Sequence, residues 1–157
     1  MNTKNYYRPI LALAIIVSIC SLLWIYWTVG RTIFTLTDDS LPLRDGYEMW
    51  QMGIIACYSI FAIALVSIQM IFLVKQLKSI KSGILFDRTN AKYIMSWGIL
   101  WIFYDFCATN ISTMIYNKAF NEITIDGTLI GIPTIVFTFA ILYKIASDVA
   151  TENNLTI

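Results

Sequence analysis

Four uninterrupted apolar stretches constrain the fold of this chain more than any other feature of its sequence. They cover residues 10–29, 50–74, 93–116 and 128–147. A helix needs about 20 mainly apolar residues to cross the hydrocarbon core of a bilayer, and each stretch is long enough. The first two stretches carry no charge, the third carries only Asp105, and the fourth carries only Lys144. We therefore predict an all-α integral membrane protein, an antiparallel four-helix bundle that forms a single membrane domain over residues 1–157.

The composition agrees with a lipid environment. Hydrophobic residues make up 58% of the chain and charged residues 13%, whereas soluble domains are about 25% charged. The net charge is +1, so the chain lacks the strong basic field that is typical of nucleic-acid binding. The first stretch is longer than the apolar region of roughly 7–15 residues in a cleaved signal peptide. We expect a retained first helix, the lipid bilayer as a partner, and no direct contact with nucleic acid.

The distribution of basic residues predicts how the helices cross the membrane. Eight of the 11 Lys and Arg residues lie before the first stretch, between the second and third, or at the end of the fourth. Lys and Arg are enriched in cytoplasmic loops, so both termini are predicted to be cytoplasmic. The predicted location is the cell membrane, as a multi-pass protein of a bacterial cytoplasmic membrane. The other three basic residues lie on the opposite side: Arg31, Arg44 and Lys118.

Local signals predict where the second helix ends and the third begins. Ser82 and Gly83 make a helix stop, with Gly83 in the left-handed conformation that often follows a helix. Asp87 or Thr89 is then placed to cap the third helix. Because this link is short, the second and third helices are predicted to be antiparallel neighbours. The longer link 31–49 is interpreted as a flexible connector, with a short surface helix or a recognition surface as the alternatives.

Residue types that carry catalysis or metal binding are sparse in this sequence. The chain has no His, and Cys20, Cys57 and Cys107 stand singly inside apolar stretches. The sequence contains no Cys/His metal spacing, no Ser/His/Asp set, no glycine-rich phosphate loop and no paired intramembrane carboxylates. We therefore predict a protein that is not an enzyme and has no catalytic residue, cofactor or metal.

Asp105 is the residue most expected to serve a function within the membrane. It lies near the middle of the third stretch, where a charged Asp costs on the order of 3 kcal/mol. Polar residues around it form a candidate intramembrane site in a water-filled, outward-open cavity: Asp105, Thr109, Asn110 and Ser112. Three interpretations stay open: a protonated Asp bonded to a neighbouring helix, an ion-pair or proton-linked switch, and a transport or ligand site. Lys144 is expected to be an anchor at the cytoplasmic surface.

A candidate docking surface lies on the predicted cytoplasmic side. Its residues come from the basic link and the chain terminus: Lys75, Lys78, Lys81, Phe86, Arg88, Glu152, Asn153, Leu155, Thr156 and Ile157. A basic link of this kind enforces topology and meets anionic headgroups, or it docks a cytoplasmic partner.

The link LKSIKSGILFDRTN (77–90) and the ending ENNLTI (152–157) resemble a bacterial four-helix membrane family called domain of unknown function 2975. The matching residues are Ser82, Gly83, Phe86, Asn90, Glu152, Asn153, Leu155, Thr156 and Ile157. This chain departs from the family at 146–151, where the family often has a glycine and further acidic residues. Members are frequently encoded beside a small helix-turn-helix regulator of the Cro/CI type. The resemblance therefore implies a membrane protein that controls, or is controlled by, a DNA-binding partner.

Two functional hypotheses follow from the sequence. The leading one is a non-enzymatic regulatory or sensor protein that holds a cytoplasmic partner, such as a small helix-turn-helix regulator, on its inner surface. The alternative is a small transporter or channel subunit, assembled as a homo-oligomer, in which Asp105 couples ion or proton movement. Asp105→Asn separates them, because it should abolish flux in a transporter and leave partner binding intact in a docking protein.

Overall fold

The computed structural model describes residues 4–37, 46–111, 113 and 123–155, and only the backbone of residues 4–6 and 153–155. Over these residues the chain forms four α-helices: α1 (Lys4–Thr37), α2 (Glu48–Lys81), α3 (Ala91–Ile111) and α4 (Thr128–Leu155). A short 3-10 helix, Arg88–Asn90, leads into α3. All four α-helices are long and apolar enough to cross a membrane. The prediction of an all-α chain with four such helices is confirmed.

The helices differ from the predicted stretches mainly in length. α1 begins six residues before residue 10 and ends eight residues after residue 29, and α4 ends eight residues after residue 147. The length of an apolar stretch reflects the thickness of a bilayer core, whereas helical hydrogen bonding continues beyond it into the more polar flanks. α2, with 34 residues, is about 51 Å long at the usual rise, against a core of about 30 Å. Residues 112–116 of the third predicted helix lie almost wholly outside the described residues.

Consecutive helices run antiparallel and pack side by side. Paired contacts establish the directions: Thr32 with Ser59 and Ser21 with Gln69 for α1 and α2, Tyr58 with Tyr104 and Lys75 with Tyr93 for α2 and α3, and Asp105 with Thr128 and Gly98 with Phe137 for α3 and α4. α3 thus lies between α2 and α4. We call the end of the bundle where α2 and α4 finish the inner end, after its predicted orientation, and the opposite end the outer end.

The centre of the bundle is small and aromatic. Ala62 and Leu65 of α2 and Tyr104 of α3 form its buried part. Tyr104 stacks on Tyr58 at a ring-centroid distance of 5.0 Å, and Trp24 of α1 meets it edge-on at 5.4 Å. Aromatic pairs at these distances add to the stabilisation that burial of apolar area provides.

Most of the large apolar side chains face outward instead. Only 6% of the most apolar segment of α1 and 11% of that of α4 are buried inside the bundle. Tyr26, Trp27 and Phe34 are more than two-thirds exposed. A soluble protein rarely exposes apolar surface on this scale, whereas helices surrounded by lipid present such side chains outward.

The link between α2 and α3 folds as the local sequence predicts. Gly83 has a φ of 89°, and its N–H donates to Ile80 O at 3.0 Å, while Ile84 N donates to Ser79 O at 2.9 Å. These two bonds define a Schellman motif, which satisfies the last carbonyls of α2. Asp87 then caps the 3-10 helix by accepting from Thr89 N at 2.9 Å. The prediction of a stop at Ser82 and Gly83 is confirmed, and of the two cap candidates the structure selects Asp87.

Candidate functional site

Asp105 lies beside the start of α4. Its Oδ2 accepts a hydrogen bond of 2.8 Å from the hydroxyl of Thr128, the first residue of that helix. The carboxylate is therefore level with the outer end of α4. Its sequence neighbour Tyr104 pairs with Tyr58, ten residues after the start of α2, so the helices do not all end at one level. The expected depth of Asp105 in the bilayer stays a prediction. The hydrogen bond links Asp105 to a neighbouring helix, as the first of the three interpretations expects.

Lys144 is far from this carboxylate. It stands 16 residues beyond Thr128 on the same helix, which corresponds to about 24 Å along the helix axis. Its side chain is exposed at the inner end of α4. This position is incompatible with an ion pair between Lys144 and Asp105, and it suits an anchor at the membrane surface.

Asn110 binds the backbone of the segment before α4 rather than lining a water-filled cavity. Its side chain is fully buried. Its Nδ2 donates to Thr124 O at 3.1 Å and its Oδ1 accepts from Thr124 N at 3.0 Å, so it binds both backbone groups of one residue. The same Nδ2 also donates to Phe106 O at 2.9 Å. Asn110 thereby fastens the segment before α4 to α3.

The remaining members of the predicted intramembrane site are Thr109 and Ser112. Thr109 is half-buried on α3, close in sequence to both Asp105 and Asn110. Ser112 lies outside the described residues. The structure therefore brings Asp105, Thr109 and Asn110 to the outer part of α3, where Asp105 and Asn110 have different partners.

A cavity does lie at the outer end, but its lining residues differ from those of the predicted outward-open cavity. It has a volume of about 180 Å³ and lies between α1, α2 and α3. Its described lining residues are Arg31, Thr32, Thr35, Ile55, Tyr58, Ala108 and Ile111, and Asp105 is not among them. Thr32 Oγ1 accepts from Ser59 Oγ at 2.6 Å at the base of this region. The sequence pattern that could have indicated this polar face is the spacing of Thr28, Thr32 and Thr35, which places three hydroxyls on one side of an otherwise apolar helix.

Among the described residues, the most extensive hydrogen-bonded group lies at the inner end, and we call it the inner polar cluster: Gln76, Ser79, Asp87, Asn90 and Tyr143. Gln76 of α2 is at its centre. Its Oε1 accepts from Tyr143 Oη at 2.6 Å and from Asn90 Nδ2 at 2.9 Å, and its Nε2 donates to Leu85 O at 2.7 Å. One amide therefore joins α2, the link 82–90 and α4.

Further contacts hold the link against α4. Tyr143 Oη accepts from Asp87 N at 3.1 Å, and Ser147 Oγ donates to Phe86 O at 3.2 Å. The ring of Phe86 meets that of Tyr143 edge-on at 5.4 Å. Arg88 Nε lies 3.4 Å from Asp148 Oδ1 in a solvent-exposed ion pair, which adds little stability on its own. Asn90 Oδ1 is buried without a partner in the part of the chain that the structure describes.

The Asp87 carboxylate is held in its ionised form. The Thr89 hydroxyl donates to Oδ1 at 2.8 Å and the Thr89 N–H at 2.9 Å, and the Ser79 hydroxyl donates to Oδ2 at 3.1 Å. These hydrogen bonds, those from Thr89 first, lower the pKa of Asp87 below 3.8 against the opposing effect of burial. Hydrogen bonds to a carboxylate stabilise the charged form.

These contacts divide the predicted docking residues into two groups. Phe86 and Arg88 contact α4, and Lys75 donates to Tyr93 Oη. Lys78, Lys81 and Glu152 are exposed. Asn153 and Leu155 belong to the last turn of α4, with only their backbone described, and Thr156 and Ile157 lie outside the described residues.

The four residues of the link that resemble the family motif all have a structural role here. Ser82 and Gly83 end α2, Phe86 packs on Tyr143, and Asn90 bonds to Gln76. No protein-family model matches the chain, and no curated protein or solved structure shows significant similarity to it. The resemblance to domain of unknown function 2975 therefore stays a prediction.

Proposed function

We propose that this protein is a multi-pass membrane protein whose inner end is a rigid platform for a cytoplasmic regulatory partner. The observation that carries the proposal is the inner polar cluster. It joins α2, the link 82–90 and α4 through three hydrogen bonds to the side chain of Gln76. A loop that only connects two membrane helices needs no such fixation, because loops are ordinarily mobile and solvated.

The helix lengths support a platform that extends beyond the bilayer. α2 continues seven residues past residue 74 and α4 eight residues past residue 147, both at the inner end. At the usual rise these extensions correspond to about 10 and 12 Å. A partner would therefore meet structured helix ends, which lowers the conformational entropy cost of binding.

The exposed side chains on these extensions suggest the chemistry of recognition. Lys78 and Lys81 of α2 are exposed, and Ile84 of the link is 50% exposed. Glu152 of α4 is also exposed. Basic, apolar and acidic groups on one surface favour a protein partner, since electrostatic complementarity provides specificity and an apolar contact provides affinity.

Purification in mild detergent followed by mass spectrometry of co-purifying proteins tests this proposal. We expect one cytoplasmic protein to co-purify in stoichiometric amount, and we expect it to be a small helix-turn-helix protein. The double variant Lys78→Glu/Lys81→Glu and a deletion of residues 152–157 should each reduce its recovery at least tenfold. Arg31→Glu, which reverses an exposed charge at the outer end, is the matched control and should retain the partner. Equal recovery from all variants, or no partner at all, would refute the platform.

The alternative, a small transporter or channel subunit, is supported by one observation. Asp105 is a partly exposed carboxylate within an apolar helix, and its described partner is the neutral hydroxyl of Thr128. Such a group is suited to coupling ion or proton movement. A proteoliposome flux assay tests this function: Asp105→Asn should abolish flux, and Thr128→Val, which replaces the hydroxyl by a methyl group, should reduce it.

A further inference from the structure

A lateral groove opens between α2 and α4 with α3 as its floor. Its volume is about 410 Å³, within the roughly 300–1,000 Å³ that is usual for ligand pockets. The lining residues are Ile68, Gln69, Phe72, Tyr93, Ile94, Trp97, Val136 and Phe139. Gln69, the one amide among them, donates to Ser21 of α1 at 2.9 Å. The groove is therefore almost entirely apolar and aromatic.

The groove is open toward the surroundings of the bundle. Phe139, one of its lining residues, is 62% exposed, and Ile71, next to Phe72 in the sequence, is 45% exposed. Such side chains lie where lipid tails would surround the bundle. A hydrocarbon chain can enter from that side without leaving an apolar environment, whereas a water-soluble ligand cannot.

The inner mouth of the groove carries two cations on one aromatic ring. Lys75 Nζ lies 4.7 Å and Lys92 Nζ 5.4 Å from the ring centroid of Tyr93, a lining residue. Lys75 Nζ also donates to Tyr93 Oη at 2.5 Å, and both lysines are exposed. The two ammonium groups repel each other, and the nearby carboxylate of Asp87 already accepts hydrogen bonds from Thr89 and Ser79. An anion between the lysines would relieve the repulsion.

An apolar groove with a paired cationic mouth matches one class of ligand. We propose that it binds one anionic glycerophospholipid, with an acyl chain along Phe72, Trp97 and Phe139 and the phosphate between Lys75 and Lys92. The mouth lies at the inner end of α2 and the start of α3, the level of the headgroups in the predicted orientation. Juxtamembrane lysines attract anionic lipids. This inference depends on membrane insertion but not on a cytoplasmic partner.

Quenching of tryptophan fluorescence by brominated acyl chains tests the site. The full chain is placed in phosphatidylcholine nanodiscs with increasing amounts of brominated phosphatidylglycerol. Subtracting the signal of Trp97→Phe isolates the contribution of Trp97 in the groove. We expect saturable quenching of Trp97 by brominated phosphatidylglycerol, and weaker quenching by brominated phosphatidylcholine at the same mole fraction.

Two double variants separate a specific site from general attraction. Lys75→Gln/Lys92→Gln should raise the half-quenching concentration about tenfold, since each juxtamembrane lysine adds to the attraction. Lys78→Gln/Lys81→Gln, which removes the same charge at exposed positions of α2 outside the groove, should leave it unchanged. Lys75→Arg/Lys92→Arg should retain binding and show that the fold tolerates substitution at these positions.

Three outcomes would overturn the proposal. Equal quenching of Trp97 by both lipids would indicate only the surrounding lipid layer. Equal loss in both glutamine double variants would indicate a diffuse charge effect. A homodimer in native mass spectrometry, with Trp97 shielded from every brominated lipid, would assign the groove to a second copy of this chain.

Discussion

The hydroxyl of Tyr143 joins three parts of the inner end, so its removal should loosen that end selectively. Tyr143→Phe deletes the bond donated to Gln76 Oε1 at 2.6 Å and the bond accepted from Asp87 N at 3.1 Å. The ring contacts with Phe72 and Phe86 remain. Gln76 Oε1 keeps its hydrogen bond from Asn90, so the loss of the bond from Tyr143 should cost about 1 kcal/mol. The part-buried Asp87 N–H loses its described acceptor, and this loss should cost about 1–2 kcal/mol. The expected loss in the free energy of unfolding is about 2–3 kcal/mol.

Equilibrium unfolding in mixed micelles, followed by tryptophan fluorescence, measures this loss. Tyr26→Phe is the matched control, because that side chain is 79% exposed on α1, and it should change stability by less than about 0.5 kcal/mol. Hydrogen exchange should show faster exchange of the Asp87 amide and unchanged exchange at the centre of α3. If Tyr143→Phe is no more destabilising than Tyr26→Phe, the inner polar cluster does not stabilise the inner end.

Three further predictions follow from the packing and the hydrogen bonds. Gly98→Ala should destabilise the bundle by about 1–3 kcal/mol, because a Cβ there would lie 2.8 Å from Phe137 Cε1; Gly53→Ala, with nothing within 4 Å, should be neutral or slightly stabilising in the same micelle assay. The wild type should have a higher free energy of unfolding than Asp87→Asn, with the full difference present above pH 3.8, the ordinary pKa of this side chain. The difference should disappear as the pH falls through the lower pKa of Asp87 in the folded state. Unfolding measured at decreasing pH would contradict this prediction if the difference stayed constant. Asn110→Ala should cost about 2–4 kcal/mol and increase proteolysis before α4, since it releases the backbone of Thr124; Thr109→Ala, one position away on α3, is the control.

Features that depend on local sequence could be predicted well. The four helices follow from the four apolar stretches, because each stretch is long enough to cross the hydrocarbon core of a bilayer. The end of α2 follows from Gly83, because only a residue free of Cβ readily adopts a φ of 89°. The Asp87 cap follows from its position two residues before Thr89.

Features that depend on pairing between distant positions could not be predicted. The contact of Asp105 with Thr128 is one example, because it depends on how far α3 and α4 overlap. Gln76 and Tyr143 are 67 residues apart, and each looks like an ordinary interfacial residue when only its own helix is considered. The contacts of Phe86 and Arg88 with α4 could not be predicted, because the sequence does not show that the link folds back on this helix.

The identity of the inner end can be tested directly by cysteine accessibility. In a chain whose Cys20, Cys57 and Cys107 are replaced by Ala, Met49→Cys places a thiol at the outer end and Lys81→Cys places one at the inner end; both positions are exposed. A membrane-impermeant maleimide added to intact spheroplasts should label Met49→Cys at once and Lys81→Cys only after permeabilisation. Labelling of Lys81→Cys in sealed cells, with Met49→Cys protected, would place the inner polar cluster outside the cytoplasm and contradict the proposed platform.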